Sequence, residues 1–150
     1  MPTLWIDADA CPRDVREIVV RASTKRRIPL VFVANRTQSP PRLAWVREII
    51  VSKAMDAADA YLVAEAVVGD LVVTQDVPLA AELVAKGVAV ISPRGIVWTV
   101  ANIGERLAVR DLMTEVRAMG EITGGPPPFD EKAKRAFAAA FEPWVARTFR

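Results

Sequence analysis

The chain opens on Leu4-Trp5-Ile6-Asp7-Ala8-Asp9-Ala10-Cys11-Pro12, an apolar run that drives into two acids and stops at a proline. Asp7 and Asp9 are two apart, so in an extended backbone both side chains leave the same face. In an α/β protein, ligands bind at the carboxyl ends of the strands. Two carboxylates held together there repel each other unless a cation or a proton lies between them. Mg²⁺ or Mn²⁺ suits such a place, because hard divalent ions prefer oxygen ligands. A lone carboxylate at the end of an apolar strand is costly to bury, so Asp7 reads as functional. Asp9 reads either as a ligand or as the cap of a helix that begins at Pro12.

Beyond that stretch the pattern alternates. Val15, Ile18, Val19 and Ala22 recur at helical spacing, and the helix fades in the basic run near Arg26, before Pro29. Leu30 to Ala34 is a short apolar strand, Asn35 to Pro41 a polar loop, and Trp45 to Val51 a third strand. Asp56 opens a second helix whose apolar face is Leu62, Val63, Ala66 and Val67, ended by Gly69. Leu71 to Thr74 is a strand running into Gln75-Asp76. Pro78 to Lys86 is a helix closed by Gly87, and Val88 to Ile91 a fifth strand. Short apolar strands alternating with helices predict an α/β three-layer sandwich with a mostly parallel central sheet. A long helix from about Val100 to Met119 follows. Gly124 to Pro128 is incompatible with helix and reads as a hinge. Phe137, Phe141 and Trp144 then lie one turn apart on a last helix, which docks on the body or on a second copy of the chain. The expected organisation is one domain over 1–150, with a core to about residue 120 and the hinge and docking helix over about 121–150.

In a parallel sheet all strand ends of one polarity share an edge. Asp7, Asp9 and Asp76 should therefore converge, with Asp56 and Asp59 close by at the start of the second helix. Each has a plainer reading beside the metal-ligand one. Asp56 and Asp76 stand where helix N-caps stand, and Asp59 where the dipole favours a first-turn acid. Asp70, after Gly69, reads as a turn residue. Thr74 offers a hydroxyl at the same rim. Arg94, after the fifth strand, can hold a phosphate bidentately or make a surface ion pair. Cys11, beside Pro12, reads either as a nucleophile at a helix N-terminus or, with no histidine to activate it, as a small buried spacer.

Composition narrows the chemistry. The 150 residues are 52% hydrophobic and 25% charged, as in an ordinary globular protein large enough for a real core. There is no histidine, which removes Ser-His-Asp and Cys-His catalysis and His-bearing zinc sites. One cysteine makes no internal disulfide, and neither a signal peptide nor a spanning helix is evident, so a cytoplasmic protein is expected. The net charge of +2 is mild. Yet Arg13, Arg16, Arg21, Lys25, Arg26, Arg27, Arg36, Arg42 and Arg47 crowd the first third, as a solvated helix face or a phosphate-backbone patch.

The motifs resemble the YaiI/YqxD family of uncharacterised bacterial proteins over nearly the whole chain. The resemblance rests on Asp7 to Pro12, Asp56 to Asp59, Gly69 to Ala80, Pro93 to Gly95, Asn102-Ile103, Leu107 to Leu112, Gly124 to Pro126 and Phe137. That family in turn looks like a member of the PIN-like nuclease superfamily, which includes the NYN domains. The resemblance implies a PIN-like fold. It also implies a metal-dependent nuclease, acting on RNA, in which Asp7, Asp56 or Asp59, and Asp76 gather around Mg²⁺ or Mn²⁺ with Asp9 as an added ligand. Asp7 and Asp76 would carry catalysis, and Arg94, Arg13 and Thr74 would meet substrate phosphates. Many such nucleases carry a pair of acids at the later strand end, where this chain continues as Val77-Pro78. Two other readings stand beside it. One is a non-catalytic nucleic-acid-binding module of the same fold. The other is haloacid-dehalogenase-type phosphatase chemistry on the Asp7-x-Asp9 pair, although that pattern continues with Thr or Val where Ala10 stands, and it needs a positioned lysine.

Overall fold

The first strand, β1 (Leu4–Asp7), is buried on both faces: Leu4 and Ile6 face one side of the sheet and Trp5 the other. This is what a central parallel strand requires, and it explains a run that is apolar rather than alternating. The computed structural model describes residues 1–54, 56–118 and 128–149, with side chains in the long fourth helix described to Val109. Six strands form one sheet in the order β3-β2-β1-β4-β5-β6. β2 (Leu30–Ala34), β3 (Val46–Ile50), β4 (Leu71–Val73) and β5 (Ala89–Ile91) run parallel to β1. β6 (Val97–Trp98) runs antiparallel at the edge. The architecture is α/β and layered, as expected. The antiparallel β6 was not foreseen, because two residues are too short to show a period.

Helices cover both faces. α1 (Arg13–Arg26) buries Val15 and Val19 against Leu4, Ile6, Leu30, Phe32, Leu71 and Val73. The last helix, α5 (Glu131–Thr148), completes that layer with Phe137, Phe141, Trp144 and Val145. The aromatic stripe thus docks on the chain's own body. On the opposite face, α2 (Ala57–Glu65), α3 (Val77–Lys86) and α4 (Val100–Ala118) bring Leu62, Leu79, Leu83 and Ile103 onto Trp5, Val31, Val33, Val72 and Val90. Gly87 closes α3 in the left-handed conformation, as its position predicts. Met119 and the expected hinge, as far as Pro127, lie outside the described residues.

The strand order sets the place for a site. From β1 the chain moves outward through β2 to β3, then returns across β1 to β4 and continues to β5. The direction of winding therefore reverses between β1 and β4. In such sheets the ligand crevice opens at that reversal, beyond the carboxyl ends of the two strands. No described helix is long and apolar enough to cross a membrane.

Candidate functional site at the β1/β4 crevice

Asp7 closes β1, and the register pairs Ile6 with Val73, so Asp7 stands level with Thr74 just past β4. The buried Thr74 hydroxyl donates to Asp7 Oδ2 at 2.7 Å and accepts the backbone N–H of Asp76 at 3.1 Å. The result is a short relay from the Asp76 backbone through Thr74 to the Asp7 carboxylate. Asp76 itself caps α3, with Oδ1 accepting the N–H of Leu79 at 2.9 Å and its backbone extended as a cap requires. Its helix-cap and site readings are therefore compatible, because a carboxylate has lone pairs left after one cap bond.

Two aspartates at the start of α2 face this edge differently. Asp56 occupies the N-cap position but makes no side-chain cap. Its backbone is left-handed, with φ of 67°. A non-glycine residue there is under strain. Asp59, in the first turn, is half-buried. Burial, then the carboxylates of Asp76, Asp7, Asp56 and Glu82, push its carboxyl up to about 6. Asp7 is also raised, first by burial and then by Asp76 and Asp9, with the Thr74 hydrogen bond opposing. The Asp76 carboxylate thus acts on both Asp7 and Asp59, and Asp7 on Asp59, across this edge. Among the described residues no lysine or arginine forms an ion pair with any of them; the ion pair formed there joins Arg13 to Glu17 on the surface of α1.

Asp9 departs from the expected geometry. The backbone is extended only to Asp7, and Ala8–Ala10 then turn as a 3₁₀ helix, so the period-two spacing does not hold. Asp9 is exposed, and its Oδ2 accepts the N–H of Asn35 at 2.9 Å, which ties the turn to the end of β2. It does not cap α1, whose N-cap is Pro12. The phosphate-binding candidates are spread wider. Arg13 lies exposed at the start of α1. The Arg94 guanidinium stands 5.8 Å from the centre of the Phe129 ring, on the side where α5 begins. Gly95 beside it holds a φ of 89°, and a Cβ there would collide with the Ala136 backbone. The Pro93-Arg94-Gly95 turn is thus shaped for the approach of α5. Cys11 is buried, and that burial pushes its thiol up to about 12, with Arg16 opposing and Asp7 adding to the shift.

An all-oxygen, like-charged donor set without a counter-cation suits a hard divalent ion by its chemistry. The positions are more open than a closed coordination shell: among the described residues, no three ligating side chains stand close enough together to hold an ion. Asp9 is drawn to Asn35, and one Asp76 oxygen is engaged at the α3 cap.

Reading for chemistry alone missed Asp70. Expected as a turn residue, it is buried at the opposite end of β4 and accepts from Thr3 N, Trp5 Nε1 and Val67 N at 2.9, 2.9 and 3.1 Å. It fastens the amino-terminal edge of the sheet. A tryptophan inside β1 that needs an acceptor for its indole N–H was the available signal. Glu48 was missed too. It accepts from Thr37 Oγ1 and Gln38 N, which pins the 35–41 loop against β3.

Comparison with known proteins places relatives across the whole chain. The family described as Uncharacterized BCR, YaiI/YqxD, matches residues 5–147. A UPF0178 protein of Psychromonas ingrahamii is 50% identical over 145 residues, covering 97% of this chain and 96% of the relative. UPF0178 proteins of Pseudomonas fluorescens strain Pf0-1 and Bordetella bronchiseptica are 50% and 48% identical, each over 98% of this chain and over 97% and 92% of their own lengths. No solved structure gives a match.

Proposed function

The chain belongs to the YaiI/YqxD family, and for this member we propose a metal-dependent nuclease that hydrolyses RNA at the β1/β4 crevice. One observation carries the reading. The Asp76 carboxylate raises the proton affinity of Asp7 and Asp59, and Asp7 adds to that of Asp59, at the winding reversal of the sheet, with no lysine or arginine among the described residues in an ion pair with them. Clustered acids in a cleft with perturbed affinity are the usual mark of a functional site. On this reading Asp7, Asp59 and Asp76 would have to draw together around Mg²⁺ or Mn²⁺, since as they stand they are too far apart to hold the ion, with Asp9 and Asp56 at the margins of the set. Such an ion supplies Lewis acidity toward phosphoryl oxygens and lets water be deprotonated near neutral pH.

The remaining work falls to the chain. Thr74 is a positioning residue: by donating to Asp7 it fixes which carboxylate oxygen is left to face the crevice. The Asp76 cap holds its carboxylate at the mouth of α3 in the same way. The basic amino-terminal third draws in the phosphate backbone and orients it.

The openness of the acid group favours a second reading, a nucleic-acid-binding module without cleavage. Manganese binding followed by electron paramagnetic resonance separates the two at the site itself. The nuclease reading expects the wild type to bind Mn²⁺, and Asp7→Asn combined with Asp76→Asn to weaken it by roughly a hundredfold or more. Unchanged binding in that variant rules this site out. RNA binding in a wild type that takes up no Mn²⁺ favours the second reading. A trapped aspartyl-phosphate would instead revive phosphatase chemistry on Asp7.

A further inference from the structure

Beside the acidic crevice, on the α1 face of the sheet, a groove of about 470 Å³ runs between α1 and the 35–41 loop. Arg13, Arg16 and Arg21 line one wall, and Gln38, Ser39, Pro40 and Pro41 the other, over Val20 and Phe32. Glu17 is the acid among the lining residues, and it is already paired with Arg13. The loop wall is held in shape from outside. Glu48 accepts from Thr37 and from the Gln38 backbone, Gln38 Oε1 accepts from Arg16 at 2.8 Å, and Pro40-Pro41 stiffens the chain that follows. Arg16 keeps one buried donor, Nε, without a partner among the described residues. A buried donor left unmade is expensive. The same guanidinium lines the groove, beside Arg13 and Arg21.

The groove is joined to the crevice by short links. Asp9 holds the N–H of Asn35, where the loop begins, and Arg13 lies four residues beyond Asp9 along the chain. These links lie on the segments that follow β1 and β2 at the carboxyl edge of the sheet, the edge that also carries Asp7. Resting on the nuclease reading above, we propose that the groove binds a phosphate of single-stranded RNA next to the scissile one, with Arg13 and Arg16 as its ligands. Guanidinium suits phosphate because its planar fork matches two oxygens at once. The apolar floor and proline wall suit the sugar or base of an unpaired nucleotide, whereas a base-paired strand keeps those faces stacked.

The test is fluorescence anisotropy of a labelled ten-nucleotide single-stranded RNA, in chelator, from low to moderate salt. Arg13→Ala and Arg16→Gln are each expected to weaken binding roughly tenfold, the scale of a charge-assisted hydrogen bond. Each should also reduce the slope of log affinity against log salt by about 0.7, the value for one phosphate contact on a single strand. Arg135→Ala, in the separate groove between α1 and α5, is expected to leave both unchanged. Arg13 is exposed, so its variant reports on binding even where Arg16→Gln disturbs the fold, which thermal melting reveals. Equal affinity in both groove variants, or an equal loss in Arg135→Ala, overturns the proposal, as does a wild type that binds no RNA. Loss of binding in the groove variants of a protein that cleaves nothing upholds the groove and removes the nuclease. Cleavage indifferent to Arg13 and Arg16 does the reverse.

Discussion

At the scale of single residues, two aspartates show how the same side chain serves opposite ends. Asp7 closes β1 at the carboxyl edge among other acids, while Asp70 opens β4 at the amino edge among donors. Asp70 is satisfied on every side the fold offers and has no claim on chemistry. Asp70→Ala leaves the Trp5 indole and two backbone N–H groups without their acceptor and is expected to cost about 3 kcal/mol in urea unfolding. A loss of a few tenths of a kcal/mol would show that water replaces the carboxylate. Asp7 was legible from its neighbours, because an apolar run leading into a carboxylate has few structural explanations. Asp70 was not, because Gly-Asp before a strand looks like any turn. Its partners Thr3 and Trp5 are more than sixty positions away in sequence. The Asp7-Asp9 spacing misled for a related reason: side-chain alternation holds only while the chain stays extended, and Ala8-Asp9-Ala10 turns instead.

At the scale of elements, strands and helices followed from periodicity and punctuation. Pro12 before α1, Asp76 before α3 and Gly87 after it stand where caps belong. β6 and the strand order depend on long-range pairing that no local pattern encodes. The last helix shows both sides of this. Its aromatic stripe predicted burial, but what it covers is decided by the turn at Gly95, whose missing side chain admits the backbone of Ala136. Gly95→Ala adds a Cβ in left-handed backbone against that carbonyl and is expected to destabilise the protein by about 2 kcal/mol or more. The loss should appear in hydrogen exchange as faster exchange of α5 amides, with those of β1 and β2 unchanged. Uniform acceleration across the chain would mean that α5 and the sheet open as one unit.

At the scale of the whole molecule, the acidic edge makes stability depend on pH. Asp59 holds its proton to about pH 6, against an ordinary value of 3.8, and Asp7 is shifted the same way. The folded chain therefore binds more protons than the unfolded chain between those values. With fewer protons on the unfolded state, stability falls as pH rises through this window. In chelator, the melting temperature is expected to drop between about pH 4 and pH 7 by more in the wild type than in Asp59→Asn. Equal pH profiles would separate Asp59 from the group. A cation bound among these carboxylates offsets the repulsion, so Mn²⁺ should raise the melting temperature more at pH 7.5 than at pH 5, where protons compete for the same oxygens.

The hydrolysis proposed for this edge depends on a metal ion and on Asp7. The most direct measurement is cleavage of a labelled single-stranded RNA by wild type and Asp7→Asn, each with Mn²⁺ and with chelator. Cleavage by the wild type in Mn²⁺ alone, reduced by roughly a hundredfold or more in Asp7→Asn, is the predicted result. Cleavage that persists in Asp7→Asn or in chelator, or a well-folded wild type that never cuts RNA in Mn²⁺, would contradict it.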